Sequence, residues 1–305
     1  MTFAEHYLVD PAQFPGALGE RHWGAESLTL GLAGRAFRVE GLGENQQEQL
    51  RSRFRGYCLD AEPSEPVVLR VLRGDATCFL PQPSGVWVYS LDLDHRDESV
   101  AWAGVREAGV LELVPAFSAS MWTVEGAGNI FARAVENVLR LIVAYALLEA
   151  GGALFHGACV VDDGKAVLFP GVSGSGKSTS SRIAAHEGRT VLSDDIVGVV
   201  ASATGYEAVA LPFGSEFRFP GPWDARFPVR AMCRLVKGET ILVNDLSRAE
   251  ALGLALACTP YVNHDPARTE RLFGNLLHLI RSVRLRTLCF PKDGPIWAAL
   301  PPGAL

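Results

Sequence analysis

Gly171-Val-Ser-Gly-Ser-Gly-Lys-Ser178 has the glycine, lysine and hydroxyl spacing of a phosphate-binding loop. The residues around it are those that such a loop requires. The apolar run Ala166–Phe169 predicts a strand leading in, and Thr179–Glu187 predicts a helix leading out, closed by Gly188. The glycines let successive backbone N–H groups turn toward one anion, and the helix N-terminus adds about half a positive charge at the same point. Gly171, Val172, Ser173, Gly174, Ser175, Gly176, Lys177, Ser178 and Thr179 are therefore the expected cradle for a triphosphate. Lys177 would reach the β- and γ-phosphates, and the Ser178 hydroxyl would ligate Mg²⁺. The expected ligands are ATP and Mg²⁺.

The rest of the chain must supply a fold that can hold this loop. With 305 residues, 48% hydrophobic and 20% charged, it has material for a buried core and room for two domains. The net charge of −6 argues against a nucleic-acid or anionic-membrane partner. Six scattered cysteines show neither a Cys-x-x-Cys pair nor zinc-like spacing, and Cys159 and Cys258 sit in apolar runs that predict core positions. No secretory signal is visible, and the most apolar stretch, Val138–Ala150, is too short to span a bilayer. A reduced, cytoplasmic compartment is the expectation.

Residues 1–125 read as a smaller β-rich accessory domain, with strands at Val67–Leu72, Val86–Leu91 and Val110–Val114. This domain could contact substrate or a neighbouring subunit in a homo-oligomer. His22, Trp23 and His95 are isolated there and read as structural or surface residues. Gly126-Ala-Gly128 marks a boundary, and residues 126–305 form the expected catalytic domain. It opens with a helix, Asn129–Glu149, apolar on nearly every face toward its end and so predicted to be buried. Further strands are expected at Leu154–Val161, Thr190–Leu192, Ala208–Leu211, Met232–Val236 and Thr240–Val243. A capping box at Ser247–Glu250 opens one helix, and Ala267–Val283 forms another. The fold class is α/β, with a mixed-sheet nucleotide-binding domain.

Two further groups are expected at the loop. If Asp163-Gly164 is a two-residue hairpin turn, Asp162 pairs with Lys165 and Ala158 with Phe169, which sets His156 opposite Gly171. The strand Thr190–Leu192 must run parallel to Ala166–Phe169 after a right-handed crossover, so Ser193-Asp194-Asp195 emerges at the edge that carries the loop. Two adjacent carboxylates there can divide the work, one holding Mg²⁺ and the other accepting a hydroxyl proton.

Phe155-His156-Gly157, the loop, and Ser193-Asp194-Asp195 close behind it together resemble the HPr kinase/phosphorylase family, a relative of ATP-dependent phosphoenolpyruvate carboxykinase. The resemblance is strong over about residues 150–200 and loose over 205–300. It implies a P-loop-containing HPr-kinase/carboxykinase-like fold and an ATP- and Mg²⁺-dependent kinase. It also implies a proton-transfer pair of His156 and Asp194, loop contacts from Lys177, and a metal site of Ser178 and Asp195. The family's Glu-Ile-Arg-Gly signature has its nearest match at Glu216-Phe-Arg218, which suggests Glu216 as another metal carboxylate. The first 125 residues do not resemble that family's N-terminal domain, and no counterpart of its protein-substrate loop is found. The expected acceptor is accordingly a serine on a protein or peptide whose identity the sequence leaves open. A small-molecule kinase, a carboxykinase-like enzyme and a nucleotide-sensing regulator that binds without turnover remain as alternatives.

Overall fold

The protein is an α/β structure built on two mixed sheets, seen in a computed structural model that describes residues 20–61, 65–74, 91–124, 130–172, 174–213, 216–291 and 296–297. Ser173, Cys78, most of the expected strand at Val86–Leu91 and the expected boundary at Gly126–Gly128 lie outside the described residues. Residues 1–142 and 143–305 form two compact units.

The first unit carries β1 (Glu26–Leu32), β2 (Arg35–Leu42), α1 (Glu44–Arg53), β3 (Val67–Arg73), β4 (Asp92–His95), β5 (Ser99–Ala103), β6 (Glu107–Glu112) and β7 (Ser118–Thr123). The strands form one sheet in the order β1-β2-β3-β7-β6-β5-β4. The pairs β2/β3 and β3/β7 are parallel, and the others are antiparallel. Helix α1 is an addition to the expected run of strands. Its sequence, ENQQEQLRSR, buries only Leu50, so it lacks the apolar periodicity that would announce a helix. Trp23 has a structural place, edge to face with Phe131 at 6.1 Å.

Helix α2 (Ile130–Glu149) follows, and the division between the units falls inside it. Most of its residues are buried, as its apolar composition predicts. In its first half the buried Glu136 is held by Arg53 and Arg140, so the carboxylate is paired rather than stranded.

The second unit is organised by β8 (Ala153–Asp162) and β9 (Lys165–Pro170), which form the hairpin read from the sequence. Asp162 is opposite Lys165 and Ala158 opposite Phe169. Asp163 and Gly164 both have positive φ, 49° and 70°, as a two-residue type I′ turn demands. Helix α3 (Lys177–His186) then crosses to β10 (Thr190–Ser193). The helix ends as expected at Gly188, whose N–H donates to the Ala185 carbonyl while the Arg189 N–H donates to that of Ala184.

Strand β10 has the expected direction, but β8 lies between it and β9. The chain also does not leave the sheet after Asp195. It continues as β11 (Ile196–Ser202), which pairs with the N-terminal half of β8. The Gly157 N–H donates to the Asp195 carbonyl at 2.8 Å, so β10 and β11 act as one long strand interrupted at the two aspartates.

The sheet is completed by β12 (Gly205–Val209), β13 (Arg226–Lys237), β14 (Leu242–Asp245) and β15 (Leu285–Phe290). Strands β9, β13 and β15 run parallel to one another, so their C-terminal ends share an edge. Helices α4 (Arg248–Ala257) and α5 (Thr269–Ser282) stand where the sequence puts them, and the capping box between Ser247 and Glu250 is complete. The core beneath the loop gathers Val160, Phe169, Ala184, Leu235, Phe290 and Trp297. Cys159 and Cys258 are buried, and the five described cysteines are free.

The hairpin turn sets the register of the site, so it is the place to test this fold. A Cβ at Gly164 would meet nothing within 4 Å, leaving left-handed backbone strain as the only cost of Gly164→Ala. We expect a loss of roughly 1–2 kcal/mol, read as a lower urea midpoint with an unchanged slope. An unaltered midpoint would mean that the turn does not constrain the hairpin.

Candidate functional site

The loop closes on itself through its lysine. Lys177 Nζ donates to the carbonyls of Gly171 (2.8 Å) and Val172 (3.0 Å), which leaves the side chain buried across the loop. Burial pulls its pKa below the ordinary lysine value, and the charges of Asp195, then Cys258 and Asp194, oppose that shift. Gly176 occupies the N-cap of α3 with φ 105°, a conformation that favours glycine. Having no side chain, it cannot cap the helix, so the first-turn amides of Lys177, Ser178 and Thr179 are not satisfied from the N-cap. A Cβ there would also stand 3.2 Å from the Phe290 ring, which sets how closely the loop approaches β15.

The hairpin brings His156 to the mouth of this loop. Its carbonyl accepts the Gly171 N–H at 3.1 Å, and its own N–H donates to the Cys258 carbonyl, at the end of α4, at 2.7 Å. His156 is therefore fixed from both the loop and α4.

The two aspartates take different environments. Asp194 is 2% exposed, and its carboxylate accepts the backbone N–H of Glu216 (3.1 Å) and of Phe217 (3.4 Å). Asp195 is half-buried, with its Oδ1 3.4 Å from His156 Nε2. The sequence reading couples His156 to Asp194; the structure brings its imidazole against the Asp195 carboxylate. The reason is β11. By continuing the pairing with β8, it draws Asp195 alongside Gly157 and His156. The Ser193 hydroxyl supports the bend by accepting the N–H groups of Asp195 and Ile196.

Glu216 does not join the group. Its carboxylate forms a two-pronged pair with Arg182 of α3, at 2.9–3.0 Å, while its backbone serves Asp194. Among the described residues, no cluster of three or more His, Cys, Asp or Glu side chains is arranged to hold a metal on its own.

His156, Gly174, Gly176, Lys177, Ser178, Thr179, Asp194 and Asp195 line one cavity of about 370 Å³, together with Lys237 at the end of β13. Lys237 was missed in the sequence. It follows an apolar strand-like run, and only the parallel pairing of β13 with β9 reveals that its end shares an edge with the loop.

A family model described as SynChlorMet cassette protein ScmC matches residues 129–292, more than half of the chain. The chain belongs to this family. The match takes in every cavity residue, from His156 to Lys237, and nearly all of the second unit up to Lys292. No curated protein matches the chain. Among the described residues, no helix is long and apolar enough to cross a membrane.

The unequal settings of the aspartates make a prediction about stability. Asp194→Ala removes the acceptor of two backbone N–H groups and should cost about 1–3 kcal/mol. Asp195→Ala, at a partly exposed contact with His156, should cost less than about 1 kcal/mol. Urea unfolding of both variants checks this, and equal losses would refute the structural division between them.

Proposed function

We propose that this protein is an ATP- and Mg²⁺-dependent kinase that transfers the γ-phosphoryl group to a hydroxyl, namely a serine of a protein or peptide. Its second unit would then be a P-loop-containing domain like that of the HPr kinases and carboxykinases, working in the cytoplasm. The observation that carries the reading is the shared cavity, which loop residues and the first residues of α3 line together with His156, Asp194 and Asp195. A phosphate cradle alone would suit a binder. A carboxylate–histidine pair at its mouth supplies what hydroxyl transfer adds, an acceptor for the proton of the attacking oxygen.

Asp195 and His156 are the accessible pair, with side chains 28% and 35% exposed, so substrate can reach them. In this reading the Asp195 carboxylate takes the serine Oγ proton as the new O–P bond forms and the bond from the γ-phosphorus to the bridging oxygen breaks. Nucleoside diphosphate leaves carrying that oxygen. His156 orients Asp195 through the contact between its Nε2 and the Asp195 Oδ1. Lys177 and the α3 amides hold the phosphoryl oxygens as charge shifts toward the leaving group. The roles of the aspartates are thus exchanged from the sequence expectation, because the histidine stands beside Asp195.

The donors present fit Mg²⁺. Ser178 and Asp194 offer hard oxygen ligands to an ion that would share its shell with phosphate and water. Bound there, the ion would neutralise phosphate charge. Glu216 would have to leave Arg182 to take part, which removes it from the proposed set.

Two variants test the proposal. Lys177→Ala should weaken Mg-ATP binding by roughly 1.5–3 kcal/mol in a calorimetric titration. Asp195→Asn should retain that binding and lower phosphotransfer from labelled ATP to serine-containing acceptors by about 10²–10⁴. Parent-level transfer by the asparagine variant would remove Asp195 as the base. Unchanged ATP affinity in the alanine variant would remove the loop as the phosphate site.

A further inference from the structure

Resting on the kinase reading, we infer that Lys237 is a second cationic contact for the terminal phosphoryl group and makes the site prefer a nucleoside triphosphate over a diphosphate. Strand geometry places it there. Side chains two residues apart on a strand share a face. Leu235 Cδ1 stands 4.0 Å from where a Cβ on Gly176 would be, so that face of β13 lies against the start of α3. Lys237 is the next residue on this face and the last of the strand, where it lines the cavity with Lys177, Asp194 and Asp195.

Charge supplies the second argument. Those four side chains sum to zero at neutral pH, whereas a triphosphate with one Mg²⁺ still carries about two negative charges. The phosphoryl oxygens nearest the two carboxylates need a counter-charge beyond that of Lys177, which also serves two loop carbonyls. Lys237 is exposed, and its side chain has no hydrogen bond or ion pair to any described residue, so it can swing onto an incoming phosphate without breaking a contact. Its backbone is anchored, because β13 pairs with β15 through Lys237 opposite Phe290 and the Gly238 N–H donates to the Phe290 carbonyl at 3.0 Å. The ammonium is thus delivered from a rigid strand end, on the edge that carries His156 and Asp195 rather than from the far side of the loop.

The experiment is a calorimetric titration of the full chain, its Lys237→Ala variant and its Lys237→Arg variant with Mg-ATP and with Mg-ADP. We expect the alanine variant to lose about tenfold in affinity for ATP and less than about twofold for ADP. The arginine variant should recover most of the ATP affinity. Equal losses for both nucleotides, or no loss for either, would overturn the assignment while leaving the kinase reading intact. A parent chain that binds neither nucleotide would overturn both.

Discussion

Everything in the site depends on how one strand, β8, spends its two edges. One edge carries β9 and, through the His156 carbonyl, Gly171, the first residue of the glycine-rich loop. The other edge carries β10 and β11 in succession, with the aspartate pair at the point where one gives way to the other. The start of the loop and the aspartate pair therefore reach one point because both flanking segments are hydrogen-bonded to the same ten residues, Ala153–Asp162. Slipping the hairpin by one residue would reverse the faces of β8 and dissolve the arrangement, so the Asp163-Gly164 turn is as much a part of the site as the loop itself.

Electrostatics then separates two groups that the sequence presents as equals. Adjacent carboxylates repel, and one low-dielectric cavity favours them only if each has its own compensation. Asp194 is compensated by backbone N–H groups, which are fixed dipoles that cannot leave. Asp195 instead faces the His156 imidazole, while the charge of Lys177 lies near both carboxylates. Division of labour between neighbouring carboxylates follows from what each faces, not from residue type.

What the sequence disclosed was local. The hairpin register, the end of α3 at Gly188 and the capping box of α4 each rest on a few consecutive residues, and each stands as read. What it concealed depends on pairings between distant segments. Ile196–Ser202 is an apolar run of strand-forming residues, yet nothing near it says that it returns to β8, the pairing that brings Asp195 beside His156. Lys237 reads as a surface charge until β13 is known to run parallel to β9. Glu216 matched a motif by spacing, but its carboxylate turns to a cation, Arg182, that no spacing rule would select. Helix α1 was hidden for the opposite reason, since a nearly all-polar helix leaves no periodic trace.

The Glu216 pairing has a mechanical consequence for the site. Its side chain grips α3 through Arg182, while its N–H, with that of Phe217, grips the Asp194 carboxylate. Arg182 lies on the helix that begins at Lys177, so this short segment straps the helix carrying the loop to the buried aspartate. The exposed ion pair contributes little to stability in itself, since solvent screens it. Its effect is positional: a planar guanidinium held at two oxygens restricts the rotation of Glu216 and with it the direction of the N–H that Asp194 accepts. A residue whose own carboxylate faces Arg182 can in this way govern where a carboxylate in the cavity points.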